Sequence, residues 1–232
     1  MKKIIIMLFA LVLTGCVSKT ATNTYDMFEP EKNVINNEKT VSSNYDETWS
    51  KLVRELSKSF YVINNIDKES RLINLSFSMN NNLSEYVDCG ITKRTFNLDK
   101  FNSNVTYEIA NDSEYYAAST VHAAPPNTTY FKIFRETFLE GRANVYVAPA
   151  HDGSEETVVS VNTKYIWNVN ISFEEYMYMP LYDRHNLVRG KRLDTSLNIQ
   201  PVNFNTNTSG SAGGVTCVAT GKFEEEILNI LK

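Results

Sequence analysis

A stripe of apolar residues between positions 49 and 60 is the first periodic pattern in the chain. Its members recur at the spacing of one helix face, and they are Trp49, Leu52, Val53, Leu56 and Phe60. Apolar residues three and four positions apart meet on one side of an α-helix, so this pattern predicts an amphipathic helix over 46–58. Asp46 and Glu47 lie in its first turn, where the helix dipole favours negative charge, and Ser43 or Asn44 can cap it.

After this helix the apolar pattern changes to the alternation that is typical of β-strands. Residues 60–63 and 72–77 are β-prone runs on either side of a turn-forming sequence, 65–70, and together they predict a β-hairpin. Further strands are predicted at 105–109 and 143–147. The clearest strand has one face made of Val159, Val161, Thr163, Tyr165, Trp167, Val169, Ile171 and Phe173. Its other face is polar, which indicates an antiparallel sheet with one packed and one wet face.

Three segments are rich in small and polar residues, and we predict mostly loop for each of them. They are 111–135, 178–195 and 205–214. Residues 197–204 are predicted to form an edge strand, because Pro201 has no N–H to donate to a central one.

A second amphipathic helix is predicted at the end of the chain, after Thr220 and Gly221. Three glutamates suit its first turn, and its apolar side is formed by Phe223, Ile227, Ile230 and Leu231. Two amphipathic helices need an apolar surface to cover, and the sheet supplies one. The pattern therefore predicts an α+β fold: a single two-layer domain over 41–232, with an antiparallel sheet packed by an N-terminal and a C-terminal helix.

The beginning of the chain has the arrangement of an export signal. Lys2 and Lys3 precede an apolar run at 4–13, which is too short for a hydrocarbon core that takes about 20 helical residues. Leu-Thr-Gly-Cys at 13–16 follows directly and resembles the lipobox of bacterial lipoproteins. The resemblance implies cleavage before Cys16 and acylation of the new N-terminus. An ordinary secretory signal that contains a cysteine is the alternative.

These features divide the chain into three parts. Residues 1–15 are predicted to be a lipoprotein signal peptide, residues 16–40 a flexible tether that carries acylated Cys16, and residues 41–232 a periplasmic domain. Residue 17 is Val rather than Asp, which resembles the pattern of Gram-negative lipoproteins transported to the outer membrane. The predicted location is therefore the periplasmic face of the outer membrane, with a lipid attaching the protein to it.

Charge excludes some classes of partner. The chain has 23 Lys and Arg against 27 Asp and Glu, and loss of the signal removes two lysines and no acid, which leaves 21 against 27. This balance does not favour nucleic acid, because no basic stripe exists to neutralise phosphates. No Cys-x-x-Cys or paired-histidine spacing predicts zinc, and we predict no cofactor.

Cys89 and Cys217 remain free once Cys16 is acylated. Both lie beside small residues, in a compartment that favours oxidation, so we predict one disulfide between them. Two buried free thiols are the alternative.

Residues 45–77 resemble the helix-plus-hairpin unit of the BamC family of outer-membrane assembly lipoproteins and of related helix-grip domains. The shared features are Tyr45 and Trp49 at the helix start, Leu52 and Leu56, Phe-Tyr-Val-Ile at 60–63, and Leu-Ile-Asn-Leu at 72–75. The resemblance implies a similar fold for this unit. BamC proteins have two such domains behind a long extended segment, whereas this chain has one predicted domain and a short tether. The BamC partner and its binding residues are therefore not carried over.

The sequence shows no catalytic constellation. His122, His151 and His185 fall in predicted loops and are expected to be exposed polar residues. The candidates for a protein-binding patch are aromatic residues in or beside loops: Tyr115, Tyr116, Tyr176, Tyr178 and Tyr182. Burial of some of these rings is the alternative.

Three functions fit these observations. The leading one is a non-enzymatic envelope lipoprotein that binds a protein, as an accessory or structural subunit of an assembly or secretion complex. The alternative is a small-ligand or lipid-binding lipoprotein, which predicts a large apolar pocket between the helix at 46–58 and the sheet. The third, an envelope hydrolase, requires polar residues clustered in a cleft.

Overall fold

The computed structural model of the protein describes residues 20–119, 126–189 and 200–232, and strands dominate it. Strand residues make up 57% and helical residues 13%. The predicted α+β class, a two-layer domain packed by an N-terminal and a C-terminal helix, is therefore wrong. Both predicted helices exist, but several segments without a clear apolar period also form strands, and the described residues make three sheets.

Every strand pairing in the described residues is antiparallel. The first half contains β1 (Thr22–Phe28), β2 (Glu38–Val41), α1 (Tyr45–Leu56), β3 (Val62–Asp67), β4 (Leu72–Met79), β5 (Val87–Asp88), β6 (Ile91–Leu98), β7 (Phe101–Glu108) and β8 (Ser113–Ala118). The second half contains β9 (Thr128–Pro149), β10 (Thr157–Met179), β11 (Arg184–Arg189), β12 (Val202–Asn205), β13 (Ser209–Ala212), β14 (Val215–Ala219) and α2 (Lys222–Asn229).

The longest feature is the antiparallel pair of β9 and β10. Its register is continuous from Pro149 opposite Thr157 to Thr128 opposite Tyr178. The 22 residues of β9 extend for about 70 Å at the usual rise of a strand, several times the typical strand length. Two separate apolar cores form along this pair.

The other strands arrange themselves around β9 and β10. The eight-stranded sheet has the order β11-β10-β9-β4-β3, with β2 and β12 added on β10 and β8 on β9. A three-stranded sheet has the order β1-β6-β7, and a second one the order β13-β14-β5. The eight-stranded sheet that contains β9 and β10 therefore contributes residues to both apolar cores, and both helices pack in the larger of them.

The larger core contains both helices, and we call the part of the molecule around it the helical lobe. Leu52 and Leu56 of α1 have no exposed surface, and Trp49 is 6% exposed. The Asn44 side chain accepts a hydrogen bond from the Glu47 N–H at 3.0 Å, which caps α1. The predicted first helix and its cap are thus confirmed. The hairpin of β3 and β4 is also present, but β3 extends over 65–67, which were predicted as part of the turn.

A glycine allows the closing helix to pack against the sheet. Gly141 of β9 lies opposite Phe77 of β4, and a Cβ at Gly141 would overlap the Phe77 ring. The ring of Phe77 therefore lies across β9 and stacks on Phe223 of α2, with ring centroids 4.6 Å apart. The predicted closing helix is confirmed, and this aromatic contact helps to attach it.

The smaller core is aromatic, and we call the part of the molecule around it the aromatic lobe. Its buried residues are Ala21, Phe96, Leu98, Tyr130 and Tyr178. The Tyr178 hydroxyl donates a hydrogen bond to Asp99 at 2.7 Å, and this bond raises the pKa of Tyr178 to about 12. The phenol therefore stays protonated and keeps its bond at neutral pH.

The predicted disulfide is present. Cys89 directly follows β5, Cys217 lies in β14, and these two strands pair with each other. Both cysteines are buried, at 2% and 0% exposure, in the core of the helical lobe. The bridge joins residues 128 positions apart, so it closes most of the chain into one loop.

The predicted flexible tether, 16–40, is wrong for the part that the structure describes. β1 pairs with β6, β2 pairs with β10, and Ile35 between them is buried at 8% exposure. All seven residues of β1 are exposed, so neither of its faces is covered. Without a buried face, β1 shows no alternation of apolar and polar residues that the sequence could reveal.

The loops predicted at 111–135, 178–195 and 205–214 are corrected in the same way. They contain β8 with the start of β9, β11 and β13, respectively. These strands carry many small or polar residues, because most residues of β8 and β13 are only partly buried and residues 184–188 of β11 are exposed. The predicted edge strand at 197–204 corresponds to β12, which pairs with β10.

None of the helices in the described ranges has the length and apolar character that crossing a membrane requires.

Loss of the disulfide should destabilise the protein strongly. A loop of this length is worth about 5 kcal/mol in the chain-entropy model, so Cys89→Ala/Cys217→Ala should lower the free energy of unfolding by about 3–5 kcal/mol. Urea denaturation followed by tryptophan fluorescence measures this change. The unmutated protein in reductant should lose a similar amount, and equal midpoints with and without the bridge would contradict the prediction.

Candidate functional site

The two faces of the eight-stranded sheet have different surroundings in the helical lobe. Odd-numbered residues of β9 and β10, such as Val145 and Val161, are fully buried in the core with the helices. Even-numbered residues such as Arg142, Asn144 and Lys164 are exposed on the opposite side. We call this side the open face. It comprises Asn74, Ser76, Ser78, Glu140, Arg142, Asn144, Asn162, Lys164 and Ile166.

Strand register places four asparagines in one row across the open face. Asn65, Asn74, Asn144 and Asn162 are successive cross-strand partners on β3, β4, β9 and β10. The Asn74 amide donates to the Asn144 amide oxygen at 2.6 Å. Asn37 donates to the Asn162 oxygen at 3.1 Å at the end of the row. Since each amide both donates and accepts, the row can hydrogen-bond the same groups on a ligand.

A groove of about 800 Å³ lies over the open face beside this row. Val62 and Asn64 of β3 line one side of it, and Lys164 and Ile166 of β10 line it as well. A second depression of about 550 Å³ shares Arg142, Asn144 and Lys164 with the first. The two cavities therefore form one depression across several strands, in which charged and amide side chains lie beside a larger share of apolar surface.

The charged side chains of the groove carry both signs. Arg142 and Lys164 are neighbours across β9 and β10, and Glu140 lies two positions along β9 from Arg142. All three side chains line the groove. This arrangement suits a neutral or weakly acidic polar ligand better than a highly charged one.

One border of the groove is the edge strand β3. It is the last strand in the sheet order, and no strand of the described ranges pairs with its outer side. Val62 and Ile66 are 58% and 42% exposed, although both are apolar. The register shifts between Ile63 and Asn65, which is a bulge that directs Asn64 toward the groove. An unpaired edge offers backbone N–H and C=O groups to an extended peptide.

The space between α1 and the sheet is filled. Leu52 and Leu56 of α1, Ile73 of β4 and Val145 of β9 all have 0% exposure. The cavities of the open face lie on the other side of the sheet. This packing gives no support to the apolar ligand pocket that a lipid carrier would need there.

Two carboxylates of α2 make hydrogen bonds inside the helical lobe that the sequence did not reveal. Glu224 is fully buried and accepts bonds from Tyr165 at 3.0 Å and Thr206 at 2.8 Å. Glu226 accepts a bond from Tyr61 at 2.6 Å. Burial raises the pKa of Tyr61 and of Tyr165, so both phenols remain donors. These bonds tie α2 to the sheet.

A buried arginine performs a similar role where the two lobes meet. Arg135 of β9 is 7% exposed and donates to the Ile109 carbonyl at 2.9 Å and to Ser113 at 2.8 Å. Its guanidinium lies 5.0 Å from the Tyr107 ring centroid. Burial lowers the pKa of Arg135. These bonds hold the chain between β7 and β8 against β9.

The five tyrosines predicted as a patch do not share one surface. Tyr115 stacks on Tyr107 with centroids 5.8 Å apart, whereas Tyr116 points to the other side of β8 and packs in the aromatic lobe. Tyr176 packs in the same lobe, and Tyr178 is 2% exposed. Tyr182 alone among the five is strongly exposed, at 74%.

The predicted loop histidines have different surroundings. His185 lies in β11, where its ring stacks on Tyr178 at 4.7 Å and its Nδ1 lies 3.0 Å from the Tyr130 hydroxyl. His151 is exposed in the turn between β9 and β10. His122 and the predicted lipidation residue Cys16 lie outside the described residues. Within those residues no group of three or more His, Cys, Asp or Glu is placed to hold a metal ion.

Comparison with family models, with curated proteins and with solved structures found no significant match for this chain.

Two arginines on opposite faces of β9 test the division of the sheet into a buried face and an open face. Arg135→Met leaves the buried Ile109 carbonyl and the partly buried Ser113 hydroxyl without their donor, so we expect a loss of about 2–4 kcal/mol in the free energy of unfolding. Arg142→Met, on the open face, should change it by less than about 0.5 kcal/mol. Urea denaturation of both variants measures the difference, and equal losses would contradict the assignment of the two faces.

Proposed function

We propose that this chain is a non-enzymatic, lipid-anchored envelope lipoprotein that binds an extended segment of a partner protein along β3 and the open face. In this role it is an accessory or structural subunit of an envelope assembly or secretion complex at the periplasmic face of the outer membrane. The observation that carries the proposal is the combination of an edge strand, unpaired on its outer side within the described residues, with a groove directly beside it that presents both polar side chains and apolar surface.

The groove and the edge complement a peptide in two ways. The backbone of β3 can pair with an added strand, which provides affinity independent of sequence. The asparagine row and Ser76 can hydrogen-bond polar side chains or peptide groups of that strand. Val62 supplies exposed apolar surface next to these polar groups.

The lipid anchor is supported by the sequence at 13–16. Acylation of Cys16 would keep the domain at the membrane, because several acyl chains together give stable attachment. The disulfide also fits an oxidising envelope compartment. The order of α1, β3 and β4 agrees with the proposed resemblance to the BamC helix-plus-hairpin unit. That resemblance supports an envelope role and specifies no partner.

Site-specific photo-crosslinking tests the binding surface. A photoreactive amino acid at Ser76 on the open face should form an adduct with a protein in intact cells, and one at the exposed Ser50 on α1 is the matched control. We expect an adduct of one defined mass at Ser76 and none at Ser50. Adducts at both positions in equal yield, no protein adduct at either, or attachment to glycan strands alone would contradict the proposal.

A charge on the edge strand should block the same interaction. Val62→Lys places an ammonium group beside β3, and lysines on edge strands oppose strand addition. We expect the Ser76 adduct to fall at least about tenfold, which corresponds to about 1.4 kcal/mol of binding energy. Val34→Lys is the control, because Val34 is 97% exposed and outside the groove. An unchanged adduct with Val62→Lys would argue against strand addition.

The anchor has a separate test. Cells grown with labelled palmitate should incorporate the label into this protein, and Cys16→Ser should abolish the label and release the protein from the membrane fraction. Membrane fractionation that is unaffected by Cys16→Ser, together with no palmitate label, would refute the lipoprotein assignment.

A further inference from the structure

An exposed apolar turn lies at the end of β10 in the aromatic lobe. Residues Pro180–Tyr182 form a 3-10 turn between β10 and β11. Leu181 is 78% exposed and Tyr182 is 74% exposed. Two large apolar side chains next to each other at a turn expose a surface of the kind that proteins use for contacts.

The turn lies at the same end of the molecule as the first described residues. Ala21 is buried in the same core as Tyr178. The Tyr178 hydroxyl donates to Asp183, the residue after the turn, at 3.3 Å. Lys100, in the turn between β6 and β7, contacts Asp183 at 3.4 Å. The start of β1 and the apolar turn are therefore close to each other and are connected through these side chains.

Chain length limits how far this end can be from Cys16. Ala21 lies five positions after Cys16, and even a fully extended chain over five steps spans at most about 18 Å. The polar headgroup layer on one side of a bilayer is about 5–8 Å thick. An acylated Cys16 would therefore hold the aromatic lobe, including its apolar turn, next to the membrane surface.

We propose that Leu181 and Tyr182 enter the lipid interface of the membrane that holds Cys16, and so form a second membrane contact. The inference rests on the proposed lipid anchor. Leu181 suits the boundary of the acyl chains, and Tyr182 suits the headgroup level, where tyrosine is enriched in membrane proteins. Lys100 and Arg184 flank the turn and can extend toward phosphates. Since Asp183 partly neutralises Lys100, a zwitterionic lipid surface is sufficient.

The contact has a consequence for the open face. Arg142 lies twelve residues along β9 from Tyr130, which is about 40 Å of strand. With a single attachment at Cys16, the domain could rotate about that point. A second membrane contact at the turn would fix the direction of β9 and β10 relative to the membrane. The helical lobe and its groove would then stand away from the membrane surface, where an envelope protein can reach them.

Depth-sensitive fluorescence tests this contact. Because Cys89 and Cys217 are bridged and acylation occupies Cys16, Leu181→Cys introduces a single reactive thiol for an environment-sensitive fluorophore. The purified acylated protein is placed in phosphatidylcholine vesicles with or without brominated acyl chains. The control is Val34→Cys, at a 97% exposed site in the helical lobe. A second label at Tyr182→Cys checks that the result does not depend on one substitution.

We expect brominated lipid to quench most of the emission from positions 181 and 182, with a shift to shorter wavelength, and to leave position 34 unchanged. The inference is overturned if brominated lipid quenches positions 181 and 182 no more than position 34. This result is also expected if a protein, and not lipid, covers the turn. Palmitate incorporation is read separately on the same proteins. An acylated protein without quenching refutes the membrane contact alone, whereas an unlabelled protein refutes the anchor.

Discussion

The register between β9 and β10 is the constraint on which the rest of the structure depends. It is continuous over the whole of β9, so the orientation of every side chain along about 70 Å follows from one pairing. A slip of one residue would exchange the buried Val145 and Val161 for the exposed Asn144 and Asn162. The same register positions the core of the helical lobe, the asparagine row and the Tyr130–Tyr176 pair of the aromatic lobe.

The position of the two helices determines which face of the sheet stays open. Both helices pack with the odd-numbered residues of β9 and β10, and Phe77, Gly141 and Phe223 form the aromatic contact between sheet and α2. With the helices on that side, the even-numbered residues of the helical lobe between Glu140 and Asn144 and between Asn162 and Lys164 remain exposed and are polar. The proposed binding surface is thus the side of a stable sheet that the core does not use. Changes there are tolerated by the fold, which leaves them available for recognition.

The two lobes have different proposed roles. The aromatic lobe carries the start of β1 and the apolar turn at Pro180–Tyr182, so it is the part that a lipid on Cys16 would bring to the membrane. The helical lobe carries the disulfide and the groove. Arg135 lies between the two parts and donates hydrogen bonds to Ile109 and Ser113. A proposed anchor at one end and a proposed binding surface at the other are compatible because they belong to different lobes.

The sequence by itself determined the elements whose signal is local: α1 with its Asn44 cap, the hairpin of β3 and β4, the closing helix and the cysteine pair. Their periods of 3.6 or 2 residues are visible because one face of each is buried. The signal peptide and the lipid at Cys16 stay predictions from that same local pattern. Only the tertiary structure decided that β1, β8 and β11 are strands, because their partners and not an apolar period hold them in place. It also decided the open face, because Asn65, Asn74, Asn144 and Asn162 become neighbours only through strand register between segments far apart in the chain.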